Sequence, residues 1–195
     1  DNTLVLQGID ISSYIHMTNN YDLGHLYIVD ASLDIHSRLV STSSGGGGLY
    51  LKSLTIVGST IVDGIIVNAD QVNLYGNNIG GTSISVKGTS SNLIGNEITG
   101  VISVDSTAET YIVGNDFSGP VYTYLTVNSH NTKIHNNRFH STFIAGGTFF
   151  DFIHGVGVNG ELEIFNNVFE NAGPNSSSER LVIGNSNAIL QFYNN

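Results

Sequence analysis

The chain has 195 residues, of which 40% are hydrophobic and only 11% are charged, so Ser, Thr, Asn and Gly have to supply most of its polar surface. These residues disfavour helices, whereas the abundant Val, Ile, Tyr, Phe and Thr favour strands, and the composition predicts one all-β domain over residues 1–195. The net charge of −10 argues against a nucleic-acid partner, the apolar runs are too short for a membrane-spanning helix, and the absence of Cys excludes disulfides and thiolate metal sites.

A short motif recurs along the chain, in which a strand with alternating apolar residues ends at a Gly, Asp or Asn that we call the anchor. The clearest copies are 72–79, 91–98 and 110–117. The anchors are, in chain order, Gly8, Asp30, Gly58, Gly76, Gly95, Gly114, Asn136, Asn166 and Asn194. They lie 18 to 30 residues apart, and a variable period with a constant local pattern indicates coils that share a core and differ in loop length.

Two positions of the motif are apolar in every copy. The first lies two residues before the anchor, at Leu6, Ile28, Ile56, Leu74, Leu93, Ile112, Ile134, Ile164 and Phe192. The second lies three residues after it, at Ile11, Leu33, Ile61, Ile79, Ile98, Phe117, Phe139 and Phe169. Alternation up to the anchor predicts a strand with one buried face, and the break at the anchor predicts a bend into a second short strand.

A third alternating segment lies between anchors. It is found at Leu49–Lys52, Ile65–Asn68, Ile84–Lys87, Ile102–Asp105, Leu125–Asn128 and Leu181–Gly184. Three strands per coil predict a parallel β-helix, a β-solenoid of about nine stacked rungs in which equal positions form columns along the axis.

Asn recurs directly after the anchor, at Asn77, Asn96, Asn115, Asn137, Asn167 and Asn195. Asn tolerates left-handed backbone angles, and its amide can bond its neighbours above and below. We therefore expect a structural Asn ladder at the bend and no catalytic role for these residues.

With this repeat, the chain resembles the pectin-lyase-like superfamily of right-handed parallel β-helices, whose repeats have the form x-Val-x-Ile-x-Gly-Asn-x-Ile followed by a Gly-Ile-x-Val-like strand. The resemblance covers essentially the whole chain. It implies a right-handed coil, but it says little about activity, because polysaccharide lyases, phage tailspikes and surface fibres are all similar at this level.

Two pairs of charged residues are weak catalytic candidates. Lys87 and Asp105 face outward on adjacent third strands, where a solvated salt bridge is the simpler interpretation. Glu97 and Asp116 lie two residues after their anchors, with Arg138 next in the column. Such a carboxylate pair could serve a retaining glycosidase or a cation, although a surface charge ladder is the simpler alternative. The His residues lack a metal-binding spacing, and we expect neither a metal site nor a cofactor.

The residue just before each anchor should face outward, yet it is mostly apolar. We call these positions the outer stripe: Gln7, Val29, Val57, Tyr75, Ile94, Val113, His135, Phe165 and Tyr193. At about 4.8 Å per rung the stripe would be about 38 Å long, a patch that monomers rarely expose. We expect it to be covered, either by another chain or by the loops 41–48, 140–160 or 171–180.

These observations favour a structural or adhesive protein, a subunit of an extracellular filament or tailspike-like fibre without enzymatic activity. Its uncapped ends and its stripe would assemble it end to end or into a side-by-side trimer. The alternative is a polysaccharide-active enzyme or carbohydrate-binding segment that uses Asp151, His154 and Glu179 beside the long insertions. We expect an extracellular or surface-attached location, virions included, and the Asn175 glycosylation sequon is compatible with secretion.

Overall fold

A computed structural model describes residues 2–12, 15–17, 23–34, 40–42, 51–62, 66–81, 84–119, 123–141, 150–155, 160–171, 179–183 and 189–195. Within these ranges the chain is all-β, without any helix, and its strands pair in parallel to form a β-solenoid. The predicted fold class is therefore confirmed, whereas the handedness, the number of rungs and the number of strands per coil stay predictions.

The strands are short at the start of the chain and longer in its middle. In chain order they are β1 (Asn2–Gln7), β2 (Asp10–Ile11), β3 (Ile15–Met17), β4 (Leu23–Val29), β5 (Ser32–Leu33), β6 (Val40–Thr42), β7 (Ser53–Val57), β8 (Thr60–Ile61), β9 (Ile66–Asn68), β10 (Gln71–Tyr75), β11 (Asn78–Ile79), β12 (Ile84–Ile94), β13 (Glu97–Ile98), β14 (Ile102–Val113), β15 (Asp116–Gly119), β16 (Thr123–His135), β17 (Arg138–Ser141), β18 (Phe150–Gly155), β19 (Glu161–Phe165), β20 (Val168–Asn171), β21 (Glu179–Ile183) and β22 (Ile189–Tyr193).

The strands that precede the anchors stack in chain order. Each pairs in parallel with the next, in the order β1, β4, β7, β10, β12, β14, β16, β19 and β22. The short strands after the anchors form a second sheet, β2-β5-β8-β11-β13-β15-β17-β20. Strands β12, β14 and β16 are long because each continues from a third segment, around a corner, into the next first strand.

The two predicted apolar columns stack in register and form the core. Ile112, for example, pairs with Leu93 on one side and with Ile134 on the other, and all three are fully buried. In the second column the rings of Phe117, Phe139 and Phe169 stack with centroids 4.6 and 5.0 Å apart. The inside-outside assignment is therefore confirmed for these columns. The inward side chains are more accessible on the first and last described strands, where Leu4 of β1 and Leu190 and Phe192 of β22 are 38%, 45% and 49% exposed.

The bend at each anchor depends on a left-handed backbone. All nine anchors have a φ between 50° and 66°, whether the residue is Gly, Asp or Asn. The sequence-based argument placed left-handed angles at the Asn that follows the anchor, and this was wrong: in the described chain, those six Asn have no positive φ. The anchor turns the chain, and the following Asn holds the turn.

One predicted third strand is also misplaced. Leu51 and Lys52 lie outside any strand, and their carbonyl groups accept hydrogen bonds from the backbone of Asp70 and Gln71 instead of pairing with β9. Strand β9 pairs with 85–87 of β12, as expected. A Leu-x-Leu alternation predicts which side chains point inward. It does not fix the register in which the segment pairs with its neighbour, because the preceding loop varies in length. Residues 49 and 50 lie outside the described ranges.

Candidate functional site

The Asn residues after the anchors form a continuous buried ladder. The backbone N–H and Nδ2 of Asn96 both donate to Oδ1 of Asn115, at 2.9 Å each. The second Nδ2 hydrogen of Asn96 goes to the carbonyl of Leu74 at 2.9 Å, and its Oδ1 accepts from the backbone and side chain of Asn77. The same pattern runs through Asn77, Asn96, Asn115, Asn137, Asn167 and Asn195.

This geometry leaves the ladder no free donor or acceptor at Asn96, which is fully buried. When both N–H donors and both lone pairs of an amide bind neighbouring residues, the amide has no hydrogen-bonding group left for a substrate. The ladder therefore supports the bend. It extends one step further than the sequence suggested, because Ser59 occupies the equivalent position, donates its N–H to Asn77 Oδ1 and accepts from Ala31 N–H.

A second amide ladder lies on the outer face, three residues before the anchors. Asn92 Nδ2 donates to Asn73 Oδ1 at 2.8 Å, and Asn73 Nδ2 donates to Thr55 Oγ1 at 3.1 Å. Sequence reasoning missed this ladder, although Asn73 and Asn92 stand at the same distance from Gly76 and Gly95. Thr55 and Asn73 are buried although their column faces outward.

The outer stripe is brought together as one in-register column. Each of its nine residues pairs with the next, from Gln7 to Tyr193. Its residues are half-buried by their neighbours except at Gln7, Ile94 and Tyr193, which are more exposed. The stripe thus presents an apolar surface, and the three loops that we considered as its cover lie wholly or largely outside the described residues.

The stripe ends in a stack of three rings. His135 and Phe165 have centroids 4.6 Å apart with planes at 9°, and Phe165 and Tyr193 are 5.0 Å apart at 4°. Burial lowers the pKa of His135, an adjacent Lys133 lowers it as well, and Glu163 opposes them. Lys133 forms an ion pair with Glu163, whose hydrogen bond raises the pKa of the lysine.

The first pair of catalytic candidates is an exposed ion pair. Lys87 and Asp105 are register partners, with Nζ 3.9 Å from Oδ2, and their side chains are 55% and 44% exposed. Asn128 on the next strand donates to the other oxygen of Asp105 at 3.1 Å. Because both side chains are about half exposed, the geometry matches a solvated salt bridge.

The second pair is built into a charge ladder. Glu97, Asp116 and Arg138 are successive register partners, as predicted. Arg138, however, is held mainly by Glu170, 2.7 Å from its Nη2, while Asp116 is 3.7 Å from Nη1. The bond to Glu170 also raises the pKa of Arg138. Sequence reasoning missed Glu170 because it belongs to the column two positions further from the anchor.

Three further expectations concern a metal site, a membrane-spanning helix and the carbohydrate candidates. Among the described residues, no group of three or more His, Asp or Glu is arranged to hold a metal ion. The described part of the chain also contains no helix long and apolar enough to span a membrane. Asp151, His154 and Glu179, the candidates of the carbohydrate alternative, lie outside the residues whose side chains are described.

Comparison of the chain with protein-family models, with curated proteins and with solved structures finds no match in any of the three.

Proposed function

We propose that the chain is a structural or adhesive β-solenoid, a subunit of an extracellular filament or tailspike-like fibre that assembles through its outer stripe. The observation that carries the proposal is the stripe itself, a column of in-register residues that is apolar at seven of nine positions and faces outward. The extracellular location and the pectin-lyase-like ancestry belong to the same proposal and rest on the repeat pattern.

The charge distribution supports a second copy of the chain as the occupant of the stripe. With a net charge of −10, two copies repel each other over most of their surfaces. The outer stripe contains no Asp or Glu at any of its positions, whereas the flanking columns carry Glu97, Asp116 and Glu163. Contact along the stripe therefore removes apolar surface from water where like-charge repulsion is weakest.

Sedimentation velocity of the full chain over a range of concentrations tests the proposal, with electron microscopy to distinguish fibres from closed oligomers. We expect concentration-dependent association, weakened at least about tenfold by Ile94→Lys, which places a charge in the stripe. The matched control is Asn78→Lys, which adds the same charge at an exposed position in the second sheet and should leave the stripe contact intact. A monodisperse monomer at every concentration would refute the proposal.

A carbohydrate-active protein is the second candidate, and one observation favours it. Glu97 and Asp116 are neighbours in register on adjacent strands, and such strands lie about 4.8 Å apart, close to the carboxylate separation of about 5 Å in retaining glycosidases. Under this alternative, incubation with acidic polysaccharides releases new reducing ends or unsaturated products, and Glu97→Gln abolishes them. Under the fibre proposal no such products form.

A further inference from the structure

The outer stripe contains one titratable imidazole, and its position is unusual for a histidine. His135 lies between Val113 and Phe165 in register, and its ring stacks on Phe165 with centroids 4.6 Å apart. Among the residues that the structure describes, the buried Nδ1 atom has no hydrogen-bond partner. The imidazole ring thus packs face to face with an aromatic ring, in a column of mostly apolar side chains.

The protonation state decides whether this packing is tolerable. In a neutral imidazole one ring nitrogen carries no hydrogen, so a buried Nδ1 without a donor beside it costs only the desolvation of one uncharged acceptor. In the imidazolium ion both nitrogens are donors, so a buried N–H would carry part of a positive charge without any acceptor. Burial accordingly lowers the pKa of His135.

The charged surroundings offset that charge only in part, because burial and Lys133 lower the pKa of His135 more than Glu163 raises it. On its own strand, Lys133 adds a positive charge, which is paired with Glu163 on β19. The neighbouring strands carry further titratable groups: Asp105, Glu109 and Tyr111 on β14, Tyr124 and His130 on β16, Glu161 on β19, Tyr193 on β22, and, beyond the bend, Asp116 on β15 and Arg138 and His140 on β17. Glu161 is bonded to Gln191, Arg138 is near Asp116, and Tyr111 donates to Glu109.

We propose that His135 makes assembly through the outer stripe sensitive to pH, so that copies of the chain associate when its imidazole is neutral and separate when it is protonated. The inference rests on the proposed function. A second copy lying on the stripe would remove the remaining water contact of the ring, and the charged form would become still less favourable than in the free subunit.

The sign of the effect follows from this linkage. His135 has a lower pKa in the folded subunit than in a free imidazole, and under the proposal it is lower still in the assembly. Between the pKa of the assembly and the pKa of the free subunit, association therefore releases the proton of His135. Acidification therefore favours the separated subunits. Above that pKa the imidazole is neutral in both states, and association is independent of its titration.

The experiment measures the association constant of the full chain by sedimentation between about pH 8 and about pH 5. We expect the dissociation constant to rise at least about tenfold over this range, because a shift of one pKa unit corresponds to a tenfold change. His135→Phe should lose this rise of the dissociation constant on acidification, since Phe extends the stack of Phe165 and Tyr193 and carries no charge. Any dependence on pH that this variant keeps comes from the other six histidines and the carboxylates. His135→Gln, which is neutral at every pH, gives the same loss if the phenylalanine variant does not fold.

His130→Gln is the matched control, because His130 is an exposed histidine on the same strand, and this variant should keep the full pH response. A chain that is monomeric at every pH overturns both the switch and the fibre proposal. A chain that associates equally at both ends of the range overturns the switch alone. The same holds if His135→Phe and His135→Gln respond to pH as the wild type does.

Discussion

Buried hydroxyl groups line one corner inside the solenoid, where Ser and Thr interrupt an otherwise aliphatic column. Ser91 and Ser106 share a hydrogen bond of 2.6 Å, and Thr110 donates to Ser129 at 3.0 Å. Thr132, the next residue in the column after Thr110, is equally buried, but its Oγ1 has no hydrogen-bond partner among the described residues. The hydroxyl of Thr110 therefore stabilises the folded chain through a hydrogen bond, whereas the hydroxyl of Thr132 destabilises it.

At this scale we predict that Thr132→Val stabilises the fold and that Thr110→Val destabilises it. The first change removes an unsatisfied buried hydroxyl and adds a methyl group, for a gain of about 1 kcal/mol, whereas the second breaks a buried hydrogen bond and costs about 1 to 2 kcal/mol. Chemical denaturation of the two variants beside the wild type measures both. Equal destabilisation would show that Thr132 has a partner in solution.

The anchor bend is the element that every coil repeats, and it tolerates three residue types for one reason. Gly adopts positive φ freely, and Asn and Asp adopt it at small cost because their short polar side chains bond the local backbone. Gly95 has a φ of 66°, and Asn136 has a φ of 57° in the equivalent position. A Cβ added at Gly95 would meet no atom within 4 Å. Only the backbone angle therefore limits the choice of residue there.

We accordingly predict that Gly95→Asn is tolerated within about 1 kcal/mol and that Gly95→Val costs more than about 2 kcal/mol, since a β-branched residue is strongly disfavoured at positive φ. Thermal melts compare the two variants. Gly100→Ala is a useful contrast, because its Cβ would lie 2.4 Å from the carbonyl oxygen of Gly81 and should be destabilising through a clash instead of a backbone angle. Similar stabilities for the Asn and Val variants of Gly95 would contradict the left-handed bend.

Over the whole molecule, stability comes from the continuous inward columns and hardly from the surface charges. Ile112 lies fully buried between Leu93 and Ile134, in a column that runs through the described structure. The Lys87–Asp105 pair is about half exposed on each side, and solvent screens such pairs to a small net contribution.

Ile112→Asp should therefore unfold the solenoid, because it buries a carboxylate without a partner, at a cost of at least about 4 kcal/mol against a total of about 5 to 15 kcal/mol for a typical domain. Lys87→Ala should change stability by no more than about 0.5 kcal/mol. Circular dichroism during thermal unfolding distinguishes the two outcomes. A folded Ile112→Asp variant with an unchanged melting temperature would mean that this column faces solvent.

The sequence by itself determined the all-β class, the parallel stacking of its repeats, the two inward columns and the position of the Asn column. These follow from local residue periodicity, which sets side-chain direction wherever a strand alternates. Only the tertiary structure showed that the anchor, and not the following Asn, is left-handed and that the carbonyl of Leu51 accepts a hydrogen bond from the backbone of Asp70. It also showed that Arg138 pairs with Glu170 and that Thr132 Oγ1 has no hydrogen-bond partner among the described residues. Such outcomes depend on register and on contacts between distant residues, 19 positions apart for Leu51 and Asp70 and 32 for Arg138 and Glu170. No local pattern specifies these contacts, because the connecting loops vary in length.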